Sequence, residues 1–452
     1  MAAAQATRKT GAVREGGHSM PPLLLSAPTL FGLESLAARD VRALGYKTES
    51  VEDGRVSFIG DEDAVCRANL WLRFAERVQV KVGGFGALSF DELFEGTKAL
   101  PWPKLLPRDA AFPVKGSCVS SKLASVPDCQ SIVKKAIVEA MKRAYRVEWF
   151  PESGALRQVQ FNIIRDRAAL YIDTSGDGLH KRGYREDPVL TPIRETLAAA
   201  LVSLSGWRPG MGLWDPFCGS GTVVIEAALA AANKAPGIAR HFAAEGWGSI
   251  GAAAWDKARE EALRLERGAD MGNGVADGAR YGVGNGARDG SRDGSMDGSG
   301  NGLGDGARDS SKQAAKQAAP AAIFGSDIDR HAVDAARRNA KRAGVAHLAK
   351  FAQIDAKDMK PGHPRLRELG IVMPERGCIV CNPPYGERLQ DAQEARRAVR
   401  GWAPALKAFP RWNVCAISAL PDFEKLIGRP ADRRRKLYNG MVKCQCYIYY
   451  AK

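Results

Sequence analysis

Asn382-Pro383-Pro384-Tyr385 directly follows the apolar run Gly377-Cys378-Ile379-Val380-Cys381. The order predicts a strand ending in a rigid turn that presents an amide, a backbone carbonyl and an aromatic face. Each proline fixes φ and removes an N–H, so the local carbonyls stay available as acceptors. Asn382 adds a side-chain oxygen acceptor, and Tyr385 offers a face on which a base stacks. The set suits a flat heterocycle held by its exocyclic amine. An arylamine is a poor nucleophile because its lone pair is delocalised into the ring. Two acceptors gripping its two N–H groups favour the pyramidal, electron-rich nitrogen. A plain strand-terminating proline turn would use the same four residues, so the weight rests on what accompanies them.

Upstream, Met211-Gly212-Leu213-Trp214 leads into Asp215-Pro216-Phe217-Cys218-Gly219-Ser220-Gly221-Thr222 and then an apolar helix, Val223 to Ala232. Strand, glycine-rich turn and helix N-terminus in that order form a nucleotide-binding corner, where backbone approaches the ligand and helix amides point at it. The pattern is neither the Gly-Lys-Ser/Thr phosphate loop nor the GxGxxG dinucleotide fingerprint. The missing lysine argues against a nucleoside triphosphate, and Asp215 favours a cationic ligand over a pyrophosphate. Ile323 to Asp327 predicts a second strand ending in an acid that can chelate ribose hydroxyls. Asp329 is placed to cap the next helix, Ala332 to Ala343, with Gly344 at its C′ position. Lys350 to Asp355 predicts a third strand, and Asp355 at its end can accept from an adenine amine.

These residues need a sheet to line them up. Strands are expected near 212–215, 322–327, 349–354, 377–381 and 412–418, alternating with helical patterns, which calls for a doubly wound parallel sheet. Arg435 to Tyr438, Asn439-Gly440 and Met441 to Tyr450 then read as a closing hairpin, with Asn-Gly as its loop. Earlier in the chain, Gly32 to Leu44 reads as a helix and Arg55 to Ile59 as a half-buried strand. Asn69 to Arg73 is expected to lead into a strand at Val78 to Val82, with another at Phe90 to Phe94. An amphipathic helix follows at Ser131 to Tyr145, and strands at Gln158 to Ile164 and Ala168 to Asp173 flank Arg165-Asp166-Arg167.

The 452 residues suffice for two or three domains, and a net charge of +15 suits a polyanionic partner. Nine cysteines, an odd number with several in expected strands, read as reduced thiols. Cys378-x-x-Cys381 and Cys444-x-Cys446 follow strand alternation rather than a zinc site, so no metal is expected. There is no run of 18 apolar residues, and the first twenty residues lack the apolar core of a secretory signal. A cytoplasmic protein with a disordered tail over 1–20 is the expectation. Residues 268–320 are rich in Gly, Asp, Asn, Ser and Arg, with Asp-Gly-Ala-Arg at 277 and 305. That composition predicts a disordered insertion.

The combined motifs resemble class I S-adenosylmethionine-dependent amino methyltransferases, and more narrowly the THUMP-domain RNA guanine-N2 methyltransferases. The likeness is carried by Leu179 to Arg185, Thr191 to Ala200, the Asp215 to Thr222 turn, Ala235-Pro236-Gly237 and the Asn382 to Tyr385 turn. It implies an α/β Rossmann-like methyltransferase domain over 176–452, a seven-stranded sheet with a C-terminal antiparallel hairpin. This domain would be preceded by α+β ferredoxin-like (21–66) and THUMP (67–175) domains. It also implies S-adenosylmethionine held by Asp215, Phe217, Cys218, Gly219, Ser220, Gly221, Thr222, Asp327 and Asp355. A guanine would be held by Asn382, Pro383, Pro384 and Tyr385. Lys181, Arg182 and Arg185 are placed for RNA phosphates. Large-subunit (23S) ribosomal RNA is the expected partner. Transfer RNA, adenine N6 as the acceptor, and a non-catalytic RNA-binding assembly factor stay open; the last would be marked by decay of the glycine or the proline turn.

Overall fold

The computed structural model describes residues 22–185, 193–266, 322–385 and 389–451, with the side chains of 389 and 390 excepted. The expected tail, the insertion over 268–320 and Thr191-Pro192 lie outside or largely outside the described residues.

Two seven-stranded sheets organise the molecule. The first holds β1 (Leu23–Pro28), β2 (Thr48–Glu52), β3 (Arg55–Gly60), β4 (Gln79–Gly86), β5 (Val114–Val119), β6 (Val159–Ile164) and β7 (Arg167–Asp173). Its order is β2-β3-β1-β4-β7-β6-β5, so one continuous sheet spans both expected N-terminal units. The join is β4, which pairs antiparallel with β1 on one side and β7 on the other. The boundary expected after Cys66 falls inside the helix Glu62–Trp71, which Asp61 caps by accepting from the Ala64 amide at 2.9 Å. Asn69 to Trp71 are therefore the end of a helix, not the approach to a strand. Phe90 to Phe94 is also helical, within Phe90–Lys98. Ser89 accepts from the Glu92 amide, and Glu92 reaches back to the Leu88 amide at 2.7 Å. This reciprocal cap overrides the β propensity of the phenylalanines.

The second sheet holds β8 (Gly212–Asp215), β9 (Ile323–Asp327), β10 (Ala349–Gln353), β11 (Gly377–Cys381), β12 (Trp412–Ser418), β13 (Arg433–Asn439) and β14 (Val442–Tyr449). The order is β10-β9-β8-β11-β12-β14-β13; the first five strands are parallel and the last two form an antiparallel hairpin. Strands β8 and β11 are buried at every residue because both faces of the sheet are covered. Alternate side chains feed two cores. Leu213, Cys378 and Val380 join a core continuous with the N-terminal sheet, while Trp214, Ile379 and Cys381 face the other. Asn439 pairs with Val442, so the hairpin loop is Gly440-Met441 rather than Asn439-Gly440. Gly440 takes the positive φ of +61° that a first loop residue of this kind needs, and Asn439 stays in the strand.

Candidate active site

Strand order reverses between β8 and β11, and a parallel sheet opens a crevice outside the strand carboxyl ends at that point. The turn after β8 and the proline turn after β11 are thereby brought to the lining of one cleft of about 910 Å³. Asp215, Phe217, Cys218, Gly219, Ser220, Thr222, Asp327, Asp355 and all of Asn382 to Tyr385 line it. Of the sequence-predicted cofactor residues, Gly221 alone stands back from the cleft surface, where it begins the helix Thr222–Ala231 with φ +86°.

Local bonds hold the glycine turn in shape. The Cys218 amide donates to the Ser326 carbonyl at 3.0 Å, and the Gly219 amide to Asp327 Oδ2 at 2.9 Å. Asn339 Nδ2 reaches in from the helix Arg330–Arg342 to the Ser220 carbonyl at 3.0 Å. Gly325 has no room for a side chain, since a Cβ there would stand 2.7 Å from Cys218 Cβ. Asp327 also accepts from the Asp329 amide through Oδ1, and a carboxylate oxygen has a second lone pair to offer. Asp329 caps its helix by accepting from the His331 amide at 2.8 Å. Asp355 accepts from the Lys357 amide and pairs with Lys357 Nζ at 2.9 Å.

The electrostatics of the cleft are acidic. Asp215 is 2% exposed and accepts from the Phe217 amide at 3.0 Å. Burial pushes its carboxyl well above the usual carboxylate range, and the charge of Asp327 adds to the shift. Asp327 is raised too, chiefly by burial. A cationic ligand would relieve both. In the proline turn, Asn382 Oδ1 is buried and accepts no hydrogen bond from the described residues. A buried amide oxygen without a donor costs roughly 1–3 kcal/mol, and Asn382 lines the cleft, where an incoming N–H would satisfy it.

The linker cations divide. Lys181 is 61% exposed and pairs with Asp177 at 3.0 Å, so it faces solvent. Arg182 does not: it is 4% exposed, and its guanidinium donates to the Leu179 and Arg73 carbonyls at 2.6 Å beside Glu226. A guanidinium enclosed this way ties the linker to the fold instead of meeting phosphate. Arg185 is half-buried and donates to the Ile193 carbonyl and to Thr222 Oγ1 at 2.8 Å, which steadies the turn from behind. The sequence reading omitted Asp391 and Arg397, which reach the cleft from the helix Leu389–Trp402. Helical spacing set against the preceding proline turn was the available signal. Among the described residues no cluster of three or more His, Cys, Asp or Glu is arranged to hold a metal, and no helix is long and apolar enough to cross a membrane.

Comparison with known proteins adds the following. Residues 182–448 match the UPF0020 family model, described as an RMKL-like methyltransferase domain; 25–79 match the RlmL ferredoxin-like domain and 87–173 the THUMP domain. The chain is 40% identical over 432 residues to YpsC of Bacillus subtilis (strain 168), whose name proposes an RNA methyltransferase; the match covers 95% of this chain and 96% of that one. It is 39% identical to a crystal structure from Listeria monocytogenes str. 4b F2365, named a predicted N6-adenine-specific DNA methylase. The TM-score there is 0.77, with 96% and 97% of the two chains covered. It is 32% identical to SMU.472, a proposed methyltransferase crystallised with S-adenosylhomocysteine (SAH), at TM-score 0.76 and coverage of 95% and 98%.

Proposed function

The chain belongs to the THUMP-containing family of S-adenosylmethionine-dependent RNA methyltransferases, and on that premise we propose that it methylates the exocyclic N2 amine of a guanine in large-subunit ribosomal RNA. The buried Oδ1 of Asn382, without a hydrogen-bond partner among the described residues, is the observation that carries the amine-directed part of this reading.

The cleft fits the cofactor. Its lining carries a buried carboxyl at Asp215 and a half-buried one at Asp327, suited to a ligand bearing a sulfonium and an ammonium. The helix Thr222–Ala231 turns its amide end toward the same space, suited to the ligand's carboxylate. The backbone from Asp215 to Thr222 holds the amino-acid part, Asp327 the ribose and Asp355 the adenine. When bound, S-adenosylmethionine supplies an electrophilic methyl group that an amine nitrogen can take, with release of S-adenosylhomocysteine and one proton. Asn382 Oδ1 and the Pro383 carbonyl each accept one N–H of the target amine, which localises the lone pair on nitrogen. Tyr385 stacks on a base flipped out of the RNA. Orientation and fixed acceptors supply the rate, and the proton passes to water.

The RlmL ferredoxin-like and THUMP domains support RNA, and the ribosomal large subunit is the partner that the motif resemblance implies. Adenine N6 is the second reading, favoured by the name of the Listeria structure, because Asn-Pro-Pro-Tyr grips either amine. Mass-spectrometric mapping of modified nucleosides in RNA from a strain lacking the gene tests both. Loss of one N2-methylguanosine from large-subunit RNA is expected. Loss from transfer RNA would move the substrate, loss of N6-methyladenosine would move the acceptor, and an unchanged nucleoside profile would overturn the reading.

A further inference from the structure

Tyr385 is fastened at its far end to another element. Asn439, the last residue of β13, is 8% exposed, and its Nδ2 donates to the Tyr385 hydroxyl at 2.6 Å. The Cys444 thiol, from the partner strand of the same hairpin, lies against that hydroxyl as well. Asn439 has no turn duty to account for it, because Gly440 and Met441 make the loop. The strand that carries it is held from outside. A Cβ on Gly32, in the loop after β1, would stand 3.1 Å from the Lys436 carbonyl oxygen and 3.3 Å from Leu437 Cδ2. Leu437 itself is fully buried. The hairpin, the edge of the catalytic sheet, thus packs against the N-terminal unit, with a polar side chain bonded to the hydroxyl of the proline turn's tyrosine.

A tyrosine hydroxyl lies on the axis about which the ring spins, so a bond to it leaves χ2 free and fixes χ1, the direction in which the ring extends. Following Pro384, the backbone of Tyr385 is set by the turn; its ring packs against both cores, and the bond from Asn439 fixes the far end.

We propose that Asn439 is a positioning residue for the methyl-accepting base, acting through the Tyr385 hydroxyl to fix the platform on which that base stacks. The inference rests on the reading of Tyr385 as the stacking surface. It makes the C-terminal hairpin, and the N-terminal loop behind it, part of the substrate site.

A double-mutant cycle tests it, using the full-length enzyme, saturating S-adenosylmethionine and ribosomal RNA from the deletion strain. Asn439→Ala removes the donor to the Tyr385 hydroxyl, and Tyr385→Phe removes the hydroxyl together with its Cys444 contact. Loss of the shared hydrogen bond corresponds to roughly a three- to tenfold fall in kcat/KM for RNA. The double variant is expected to be no worse than Tyr385→Phe alone, with cofactor affinity by calorimetry unchanged in all three. Asn439→Ser carries the same arm if the alanine variant fails to fold. Penalties that multiply in the double variant, an asparagine variant as active as the parent, or a parallel loss of cofactor binding would each overturn the inference. The cycle is scored on whichever purine amine is methylated. A product of N6-methyladenosine would therefore refute the guanine reading alone, whereas multiplying penalties with N2-methylguanosine as product would refute this inference alone.

Discussion

Asn382 and Asp215 line one cleft with different deficits: a buried acceptor without a donor among the described residues, and a buried carboxyl whose neighbouring charge is another carboxyl. Asp215 gives a pH prediction. Its folded-state pKa lies above the unfolded value, so the stability linked to its proton is present in full below the ordinary carboxylate pKa. That stability is lost as pH rises through the raised value. Asp215→Asn removes this dependence, so the melting temperature of the ligand-free variant should gain on the parent as pH increases. Its affinity for S-adenosylmethionine should fall at the same time. Thermal scans across pH with and without cofactor check both, and a gap that narrows with rising pH would contradict the assignment. That Asp215, Asp327 and Asp355 would share one sheet edge was legible because each ends or closely follows a strand of a recognisable α/β series. Arg182 was not, since a run of basic residues between domains looks the same whether solvent or Glu226 waits for it. Asn439 was misread for a related reason: Asn-Gly signals a turn, but strand register decides which residue of the pair is in the loop.

Among the elements, the glycine turn separates two kinds of constraint. Gly219 has φ +49° and open space where a Cβ would go, whereas Gly221 has φ +86° and a Cβ there would stand 2.9 Å from Ala336 Cβ and Phe351 Cε1. Gly219→Ala should therefore cost only the left-handed strain, about 1–2 kcal/mol. Gly221→Ala adds overpacking and should cost about 2–5 kcal/mol. Urea unfolding measures the two, and equal costs would mean that contact with the neighbouring helix and strand is not what restricts Gly221. The five parallel strands and the closing hairpin were readable from buried runs and turn residues. The helix Phe90–Lys98 was not read, although Ser89 and Glu92 held its capping signal, because aromatic residues at 90 and 94 suit a strand equally well.

Across the whole molecule, the N-terminal and catalytic units share a core and an ionic centre. Glu226 is enclosed between Arg73, at 3.8 Å, Arg182, at 3.5 Å, and the Tyr184 hydroxyl, at 3.2 Å. Burial raises the Tyr184 phenol well above its ordinary pKa, which keeps it a donor. Glu226→Leu leaves two enclosed guanidinium groups without their carboxylate, and should destabilise the protein by about 3–5 kcal/mol. Denaturant melts followed by tryptophan fluorescence read this; a loss under 1 kcal/mol would show that the centre contributes little to the joint between units. This joint could not be read from sequence, because its members lie at 73, 182, 184 and 226 and no local pattern connects them. Through it, and through the Gly32 loop against β13, the RNA-directed N-terminal half is built into the framework that holds the methyl-transfer cleft.

The central claim is that an amide oxygen in the proline turn grips the amine that receives the methyl group. Single-turnover methyl transfer by Asn382→Ala, alongside calorimetry of S-adenosylmethionine binding, tests it most directly. A fall of about 10²–10³ in the transfer rate with cofactor affinity unchanged is the predicted result. Transfer at the parent rate, or a loss of cofactor binding large enough to explain the lost activity, would contradict it.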